Sequence, residues 1–109
     1  MSCIFCRIIA GEIPAKKVFE NEQFIVFHDV YPKAPVHVLV IPKKHIESLA
    51  HLDATDLTLM GELTLLLPVL AQDLNLKEGF KVAVNTGTGG GQEVFHLHYH
   101  LMGSPVFEI

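Results

Sequence analysis

The sequence predicts an α+β domain in which two helices accompany an antiparallel sheet of about five strands. Two observations support this prediction. Short runs of β-branched and aromatic residues follow one another at turn-length spacing, and one long leucine-rich segment separates the first runs from the last. The resulting order, α-β-β-β-α-β-β, groups the strands into hairpins and therefore favours an antiparallel sheet.

The chain begins with a predicted short helix and a predicted hairpin. Residues 2–10 mix apolar and polar side chains at helical spacing, and Gly11 ends the run. Residues 18–20 and 23–28 are β-type runs, and residues 21–22 between them predict a tight turn. We therefore expect the first two strands to pair with each other.

The middle of the chain predicts a central strand followed by a short helix. A turn is expected at residues 31–35, because each proline there fixes φ and removes a backbone donor. Residues 36–41 are nearly all apolar and mostly β-branched, which indicates a buried central strand that ends at Pro42. Residues 45–51 have the composition of a short helix.

The leucine-rich segment predicts one long helix over residues 54–74, with Asp53 as its N-cap. Its apolar residues recur at helical spacing at Leu57, Met60, Leu63, Leu67, Leu70 and Leu74. Other apolar residues widen this stripe beyond one face, so we expect the sheet and a partner subunit to bury the helix together. Pro68 lies inside the segment and predicts a kink or the loss of one backbone hydrogen bond.

Composition excludes several classes of protein. The 109 residues have a mass of 12.1 kDa and are 50% hydrophobic, which predicts one domain over residues 1–109 and argues against intrinsic disorder. The net charge of −4 argues against non-specific binding of nucleic acid. No secretory signal is visible, and the longest charge-free apolar stretch, residues 63–72, is too short for a membrane span. We therefore expect a soluble, cytoplasmic protein that binds neither nucleic acid nor a membrane.

The last third of the chain predicts two strands, residues 80–85 and 94–102, joined by a glycine-rich loop. The second strand carries His96, His98 and His100, which would share one face at a spacing of roughly 7 Å per pair. A solvated strand face is the simplest interpretation, but the surrounding apolar residues indicate a central strand. Two hypotheses remain: a catalytic metal site, and nucleophilic and acid–base chemistry on a phosphate.

The loop between these strands has the composition of an anion-binding segment. It reads Asn85-Thr86-Gly87-Thr88-Gly89-Gly90-Gly91-Gln92, and consecutive glycines let backbone N–H groups approach an anion closely. A flexible hairpin loop would have a similar composition, yet the nearby histidines favour an anion cradle. The segment matches neither a P-loop, which needs a following Gly-Lys-Ser/Thr, nor a dinucleotide-binding loop, which a helix would follow.

Together these motifs resemble the histidine triad (HIT) family, and most closely its Hint-like branch. The family pattern alternates three histidines with apolar residues, as in His96-Leu97-His98-Tyr99-His100-Leu101-Met102. The similarity runs in order through residues 12–16, 27–29, 34–37, 41–45, 85 and 90–92. The histidine at position 100 favours the Hint-like branch, because nucleotidyl-transferring and diadenosine-polyphosphate-cleaving branches usually carry glutamine there.

The resemblance implies a HIT-like fold whose sheet continues across a homodimer. It also implies a phosphoramidase-like hydrolase that binds a purine nucleoside monophosphate, or its phosphoramidate or adenylate conjugates, and attacks the α-phosphorus. His98 would be the nucleophile that forms a nucleotidyl-histidine intermediate. His100 would contact the phosphate and assist the leaving group. His37 would support the charge network of the imidazoles, and His96 would fix the strand that presents His98.

The same resemblance implies where the nucleotide binds. Asp29 would bind both ribose hydroxyls, since a carboxylate accepts two hydrogen bonds. Phosphate oxygens would be held by Asn85, the Gly90-Gly91 backbone and Gln92. The base would lie against Phe5, Ile8, Phe27, His28, Val30 and Leu39, although ordinary core packing is the alternative explanation for the apolar members of this set.

Glu93 departs from the best-known Hint pattern, in which serine follows the Gly-Gln pair. It belongs to the predicted nucleotide-binding set, but a carboxylate repels a phosphate unless it is protonated or points away. Glu93 would therefore act on the leaving amine or face solvent. This departure concerns the substrate preference rather than the class of reaction.

A second site is predicted from Cys3 and Cys6, which form a C-x-x-C pair. In a reducing compartment such a pair indicates a metal or redox site more often than a disulfide, and two buried cysteines are the simpler alternative. His45 and His96 would complete a tetrahedral Cys₂His₂ set, as they do in some HIT proteins. The expected cofactor is one structural Zn²⁺ that fastens the N-terminal helix to the sheet.

Two alternatives to the hydrolase stay open at this point. One is a metallohydrolase in which His96, His98 and His100 hold a catalytic metal. The other is a non-catalytic nucleotide-binding dimer. His51 has no assigned role and is expected at the surface or in a linker between helices.

Overall fold

The computed structural model describes residues 3–107. These residues form two α-helices and five strands. In chain order they are α1 (Ile4–Ile9), β1 (Lys17–Glu20), β2 (Phe24–His28), β3 (Val36–Pro42), α2 (Leu57–Asp73), β4 (Lys81–Ala83) and β5 (Tyr99–Gly103). Short 3₁₀ turns lie at Leu49–His51, Ala54–Asp56 and Thr88–Gly90.

The strands form one antiparallel sheet in the order β1-β2-β3-β5-β4, which confirms the predicted fold class. The expected hairpin pairs β1 with β2, and the Asn21 carboxamide oxygen accepts hydrogen bonds from the N–H groups of Gln23 and Phe24 in the turn. Strand β3 is central, as its apolar composition predicts. Leu39 on β3 lies between Phe27 of β2 and His100 of β5, so one row of side chains crosses the sheet.

The two faces of the sheet are covered differently. One face packs against α2 and forms a purely apolar core, which includes Val38, Val40, Leu63, Leu67, Leu70 and Leu101. The other face packs against α1, with Phe5, Ile8, Ile25, Phe27, Leu39 and Ile41 in contact. Since α1 has only six residues, it covers the second face in part and leaves room there for polar side chains.

Helix α2 begins after a capped turn. The side chains of Asp53 and Asp56 form a reciprocal capping box around Ala54–Asp56, and the buried Asp56 carboxylate also accepts a 2.6 Å hydrogen bond from the Lys44 ammonium. The predicted N-cap at Asp53 therefore caps a 3₁₀ turn that leads into the helix. The helix continues across Pro68, whose missing N–H leaves the carbonyl of Thr64 without its helical donor.

The outer face of α2 carries exposed apolar side chains. Leu57, Leu65 and Val69 are 78%, 72% and 53% exposed. By length and composition alone, the helical segment Ala54–Asp73 is long and apolar enough to cross a membrane, and 28% of the apolar 18-residue window within it is buried. Its inner leucines pack against the sheet, which is the position of a core helix in a soluble fold.

Three predicted elements are shorter in the structure than the sequence suggested. In place of the expected helix over residues 45–51, only the 3₁₀ turn Leu49–His51 forms. The expected strand over residues 80–85 is reduced to the three residues Lys81–Ala83. The predicted helix over residues 2–10 starts at Ile4, and Ser2 lies outside the described residues.

The largest correction concerns the final strand, which was predicted over residues 94–102. Only Tyr99–Gly103 pairs in the sheet, and residues 94–98 form an irregular segment. The backbone N–H of Leu97 donates to the carbonyl of Ile46, outside β3, at 2.6 Å, so the segment leaves the strand ladder. His96 and His98 therefore do not share an extended strand face with His100, and the expected regular spacing of roughly 7 Å is wrong.

Candidate functional site

Aromatic and imidazole rings form a row on the sheet face that carries α1. The ring centroids of Phe5 and His98 are 5.1 Å apart, those of His98 and His100 are 5.1 Å apart, and those of His100 and His37 are 5.2 Å apart. Residues from α1, β3, β5 and the segment before β5 thus meet at one place. Three of the four predicted catalytic histidines lie in this row, and His96 lies outside it.

His98 is held in one tautomer by the backbone. Its Nδ1 lies 2.6 Å from the carbonyl oxygen of His96, and a carbonyl only accepts, so Nδ1 carries the proton. Nε2 therefore keeps its lone pair. Burial lowers the pKa of His98, which favours the neutral and nucleophilic imidazole at neutral pH.

A second chain of hydrogen bonds fixes the tautomers of His37 and His100. The backbone N–H of Lys33 donates to Nδ1 of His37 at 3.0 Å, so Nε2 of His37 carries the proton. This Nε2–H lies 2.9 Å from Nδ1 of His100 and donates to it. A neutral His100 therefore carries its own proton on Nε2, where it is available to a bound substrate.

The environment of His100 disfavours a second proton. Burial, followed by the neighbouring His98 and His37, lowers the pKa of His100 to about 4. Burial likewise lowers the pKa of His37, and the Asp29 carboxylate, 3.4 Å from His37 Nε2, counteracts part of that effect. A phosphate anion placed beside these rings would act in the same direction as Asp29 and would favour a protonated pair.

The glycine-rich loop is closed by its own polar side chains. The Asn85 side-chain amide donates to the carbonyl of Gly90 at 2.8 Å. Gly87 and Gly91 have φ of 67° and 80°, a conformation that favours glycine. A Cβ atom at Gly91 would meet the Asn85 side-chain nitrogen at 3.4 Å, so the loop is also tightly packed here.

Gln92 supports this loop from inside. Its side-chain oxygen accepts from the N–H of Gly87 at 2.8 Å, and its Nε2 donates to the carbonyls of Glu47 and Val94 at 2.6 and 3.0 Å. Both Nε2 protons are thus used within the chain. A direct contact with phosphate, as predicted, would require one of these hydrogen bonds to break, whereas Glu93 beside it is exposed.

The residues predicted to hold the nucleoside lie between β2 and α1. Phe5, Ile8, Phe27 and Leu39 belong to one buried apolar cluster, so they take part in core packing, and their contact with a base stays a prediction. His28 and Val30 are exposed at the margin of the site. Their contact with a base stays a prediction.

Asp29 has contacts that the sequence did not indicate. Its Oδ1 accepts from the N–H of Tyr31 at 2.8 Å, and its Oδ2 faces His37 at 3.4 Å and His100 at 4.0 Å. Its predicted contact with ribose hydroxyls is also untested and stays a prediction. The structure therefore places this carboxylate beside the imidazole pair.

The four predicted metal ligands meet at a second site. Their ligand atoms, Sγ of Cys3 and Cys6 and nitrogens of His45 and His96, all lie within 4.8 Å of one another, so the cluster could hold a metal ion. Nδ1 of His96 is 3.5 Å from Cys3 Sγ and 3.6 Å from Cys6 Sγ, and Cys6 Sγ is 3.3 Å from His45 Nδ1. The two Nδ1 atoms are 3.1 Å apart.

These distances match the edges of a zinc tetrahedron. Ordinary Zn–S and Zn–N bond lengths give S···N edges of about 3.5 Å and an N···N edge of about 3.3 Å. Nε2 of His96 donates to the carbonyl of Pro42 at 2.7 Å, so Nδ1 presents its lone pair to the cluster. Burial and the neighbouring Cys3 raise the pKa of the Cys6 thiol, and a bound cation would reverse this effect.

The hypothesis of a metal shared by His96, His98 and His100 does not fit this geometry. Nδ1 of His96 faces the two cysteines, and Nδ1 of His98 donates a hydrogen bond to the carbonyl of His96. Within residues 3–107, His98 belongs to neither cluster of possible metal ligands, while His100 groups with Asp29 and His37. The three histidines therefore do not converge on one point.

Sequence reasoning missed two backbone groups that organise the site, the N–H of Lys33 and the carbonyl of Pro42. Neither has a side-chain pattern that would identify it. His51 lies at the surface, as expected, and contacts Ser48 Oγ at 2.8 Å and a Glu47 carboxylate oxygen at 3.2 Å. Ser48 also caps the 3₁₀ turn Leu49–His51 that contains this histidine.

Comparison with known proteins shows similarity along nearly the whole chain. The family model described as "Scavenger mRNA decapping enzyme C-term binding" matches residues 2–107. Protein HitA of Neisseria gonorrhoeae is 51% identical over 105 residues, which cover 96% of this chain and 98% of HitA.

Solved structures have the same fold. A HIT family hydrolase from Legionella pneumophila is 41% identical, with a TM-score of 0.92 and coverage of 98% of this chain and 96% of that one. A histidine triad nucleotide-binding protein from Candida albicans is 33% identical, with a TM-score of 0.81 and coverage of 99% and 86%. A zinc-bound histidine triad family protein from Mycobacterium smegmatis is 34% identical, with a TM-score of 0.79 and coverage of 94% and 75%. With its three alternating histidines, the chain belongs to the histidine triad family.

Proposed function

We propose that this protein hydrolyses purine nucleoside phosphoramidates and adenylate-type conjugates at the α-phosphorus, through a covalent nucleotidyl-His98 intermediate. One observation carries the proposal. The His96 carbonyl accepts from Nδ1 of His98, so a buried neutral imidazole presents the Nε2 lone pair beside the His37–His100 pair. The similarity to a HIT family hydrolase from Legionella pneumophila supports hydrolysis, and the similarity to the Candida albicans protein supports binding of a nucleotide.

The first step would transfer the nucleotidyl group to the protein. Nε2 of His98 donates its lone pair to the phosphorus, and the P–N bond to the leaving amine breaks with its electron pair on nitrogen. The bound phosphate favours a second proton on the His37–His100 pair, and His100 gives its Nε2 proton to the leaving nitrogen, which departs as a neutral amine.

The second step would regenerate the enzyme. Water attacks the phosphorus, and the bond from phosphorus to His98 breaks with its electron pair on Nε2. One water proton returns to the His37–His100 pair and the hydroxyl remains on phosphorus, so the products are a nucleoside monophosphate and the starting protein. The same sequence cleaves a P–O bond when the leaving group is the carboxylate of an adenylate.

The substrate would lie between α1 and the glycine-rich loop. Phosphate oxygens bind the backbone of Gly90 and Gly91, where Asn85 holds the loop in place. Asp29 binds the ribose hydroxyls. Phe5, Ile8, Phe27, His28, Val30 and Leu39 form the wall for the base. Gln92 acts by shaping the loop, and Glu93 faces solvent.

A structural Zn²⁺ would bind to Cys3, Cys6, His45 and His96. Four protein ligands leave no open position, so the ion stabilises the fold and takes no part in the reaction. The donor set, the tetrahedral spacing of its atoms and the zinc-bound relative from Mycobacterium smegmatis support this assignment. The ion would tie α1 to the segment that carries His98.

The protein would act as a cytoplasmic homodimer. The exposed side chains of Leu57, Leu65 and Val69 give α2 an apolar outer face, and β4 lies at an edge of the sheet. A partner that extends the sheet from this edge would cover apolar surface that the single chain leaves in water. Sedimentation at micromolar concentration should then give twice the 12.1 kDa mass of the chain.

Turnover of an adenosine phosphoramidate tests the proposed function directly. Replacing His98→Asn should lower kcat by roughly 10³-fold or more, because the nucleophile is lost, while the affinity for AMP is kept. His51→Asn, a histidine at the surface, is the matched control and should keep full activity. Wild-type turnover by the His98 variant would contradict the mechanism, and AMP binding without turnover by the unaltered protein would support a non-catalytic binding protein.

A further inference from the structure

A cavity of about 430 Å³ opens on the same sheet face, on the side of β4. Its lining includes His37, His100 and Asn85, together with Lys33, Lys81 and Met102. The cavity therefore shares His37 and His100 with the row of rings. The predicted base contacts Phe27 and Leu39 lie toward β2 and α1, and the predicted ribose ligand Asp29 lies beside His37 and His100.

Two lysines line the cavity although the chain as a whole is acidic. Lys33 and Lys81 line it, and among the described residues no carboxylate does. The recorded ion pairs of residues 3–107 involve neither lysine. The net charge of the chain is −4, so two ammonium groups at one cavity give this part of the surface more positive charge than the chain has overall.

The Lys33 charge acts on the catalytic rings themselves. Burial is the main cause of the lowered pKa of His37 and of His100; the Lys33 ammonium adds to the lowering in both, and the Asp29 carboxylate opposes it with a larger effect. This lysine is therefore close enough to influence a group bound beside His100. Its backbone N–H, as described above, also orients His37.

The geometry of the reaction directs the leaving group toward this cavity. Displacement at phosphorus places the attacking and the leaving atoms on opposite sides. The attacking His98 does not line the cavity, while His100, which protonates the leaving nitrogen, does. With the nucleoside held against Phe5 and Leu39, the leaving group departs past His100 on the side of β4.

We propose that this cavity binds the leaving group, and that Lys33 and Lys81 make the enzyme prefer leaving amines that carry an anionic group, such as amino acids with a free carboxylate. The inference rests on the proposed function and specifies the substrate class of the same site. The side chain of Met102 would contact the carbon chain of the amine, and the two ammonium groups would pair with its carboxylate.

Three adenosine phosphoramidates that differ only in leaving-group charge test the inference. Their amines are β-alanine, which is anionic, its neutral amide, and 1,3-diaminopropane, which is cationic. We expect kcat/KM for the β-alanine conjugate to exceed that for the amide conjugate by roughly three- to tenfold, with the cationic conjugate lowest. The ratio should shrink as salt is added, because ions screen exposed charges.

The double variant Lys33→Gln and Lys81→Gln should bring the ratio of the β-alanine conjugate to the amide conjugate close to one. Both substitutions keep the backbone N–H groups, so the hydrogen bond to His37 remains. Lys77→Gln, a lysine exposed outside the cavity, is the matched control and should leave the ratio and the activity unchanged.

The outcomes separate the two proposals. Equal turnover of the anionic and neutral conjugates by the unaltered protein, or a preference that the double variant keeps, would overturn the inference and leave the proposed function intact. Failure to turn over any of the three conjugates would overturn the proposed function and this inference with it. A salt-sensitive preference that the double variant loses and the control keeps would establish the inference.

Discussion

The protein uses histidine in two neighbouring clusters that differ in where the ring nitrogens point. In the first cluster, Nδ1 of His96 and His45 and the two cysteine sulfurs face one point at tetrahedral spacing. In the second, Lys33, His37 and His100 form a chain in which each hydrogen bond fixes the next tautomer. The first arrangement suits a metal ion, and the second suits the movement of a proton.

The difference shows that backbone partners assign the role of each imidazole. The Pro42 carbonyl accepts a hydrogen bond from Nε2–H of His96, so the Nδ1 lone pair of His96 faces the cysteines. The His96 carbonyl accepts a hydrogen bond from Nδ1–H of His98, so Nε2 of His98 keeps its lone pair beside the His37–His100 pair. His96 thus belongs to both regions, through its side chain in one and its backbone in the other.

Removing the first cluster is the largest expected structural change. The variant Cys3→Ser with Cys6→Ser should lose its bound zinc entirely and should melt roughly 10 °C or more lower, because the ligands come from distant parts of the chain. Element analysis of untagged protein and a thermal melt check this. If untagged wild-type protein with reduced cysteines is purified without zinc even when zinc is supplied, and melts at the same temperature as the variant, the cysteines are ordinary packing residues.

Removing a link of the second cluster should affect catalysis and leave the metal in place. His37→Phe keeps a ring of similar size but removes the donor to His100 Nδ1. We expect kcat to fall by roughly 10- to 100-fold, with one zinc per chain retained. Loss of zinc together with activity would show that the two clusters are not independent.

Asp29 distinguishes ribose binding from support of the imidazole pair. If it binds ribose, Asp29→Ala should raise KM by roughly tenfold and change kcat little. The variant should also lose its discrimination against a 2′,3′-dideoxy substrate. Asp73→Ala, at the exposed end of α2, is the control. A fall in kcat at unchanged KM would instead assign Asp29 to His37, which it faces at 3.4 Å.

The pH dependence of stability should show the smallest effect. The pKa of His100 in the folded chain is about 4, below its ordinary value of 6.5. As the pH falls from 6.5 toward 4, the unfolded chain takes up a proton that the folded chain refuses, so the free energy of unfolding decreases.

His100→Asn removes this contribution. Between those pH values the variant should lose less stability than the unaltered protein, by on the order of 1 kcal/mol after allowance for partial exposure of the ring. Urea unfolding at a series of pH values measures the difference. Parallel pH profiles of the two proteins would show that His100 titrates normally in the folded chain.

The parts of this molecule that the sequence predicts are those that side-chain patterns specify. The apolar run of β3, the helical spacing of α2 and the Cys₂His₂ set each depend on residue types at fixed separations, and the structure has all three. The segment over residues 94–98 has equally strong strand composition. It leaves the sheet because Leu97 bonds to Ile46 and His96 turns toward Pro42, and such long-range partners have no local pattern.

The details of the candidate site depend mostly on backbone groups. The tautomer of His37 is set by the N–H of Lys33, a group that every residue except proline carries. The Gln92 side chain donates to the carbonyl of Glu47 because the loop passes close to that residue, which is distant in the sequence. The cavity brings together Lys33, from the loop before β3, and Lys81, from β4, and only the sheet order reveals that these two places are close.

The covalent state of His98 during turnover is the most direct test of this account. The protein would be mixed with excess adenosine phosphoramidate, quenched in alkali during the first turnover, and analysed by intact and fragment mass spectrometry. We predict one AMP group per chain, attached to His98 and absent from His98→Asn. Release of amine during the first turnover without any adduct, or an adduct on another residue such as His100, would contradict the assignment of His98 as the nucleophile.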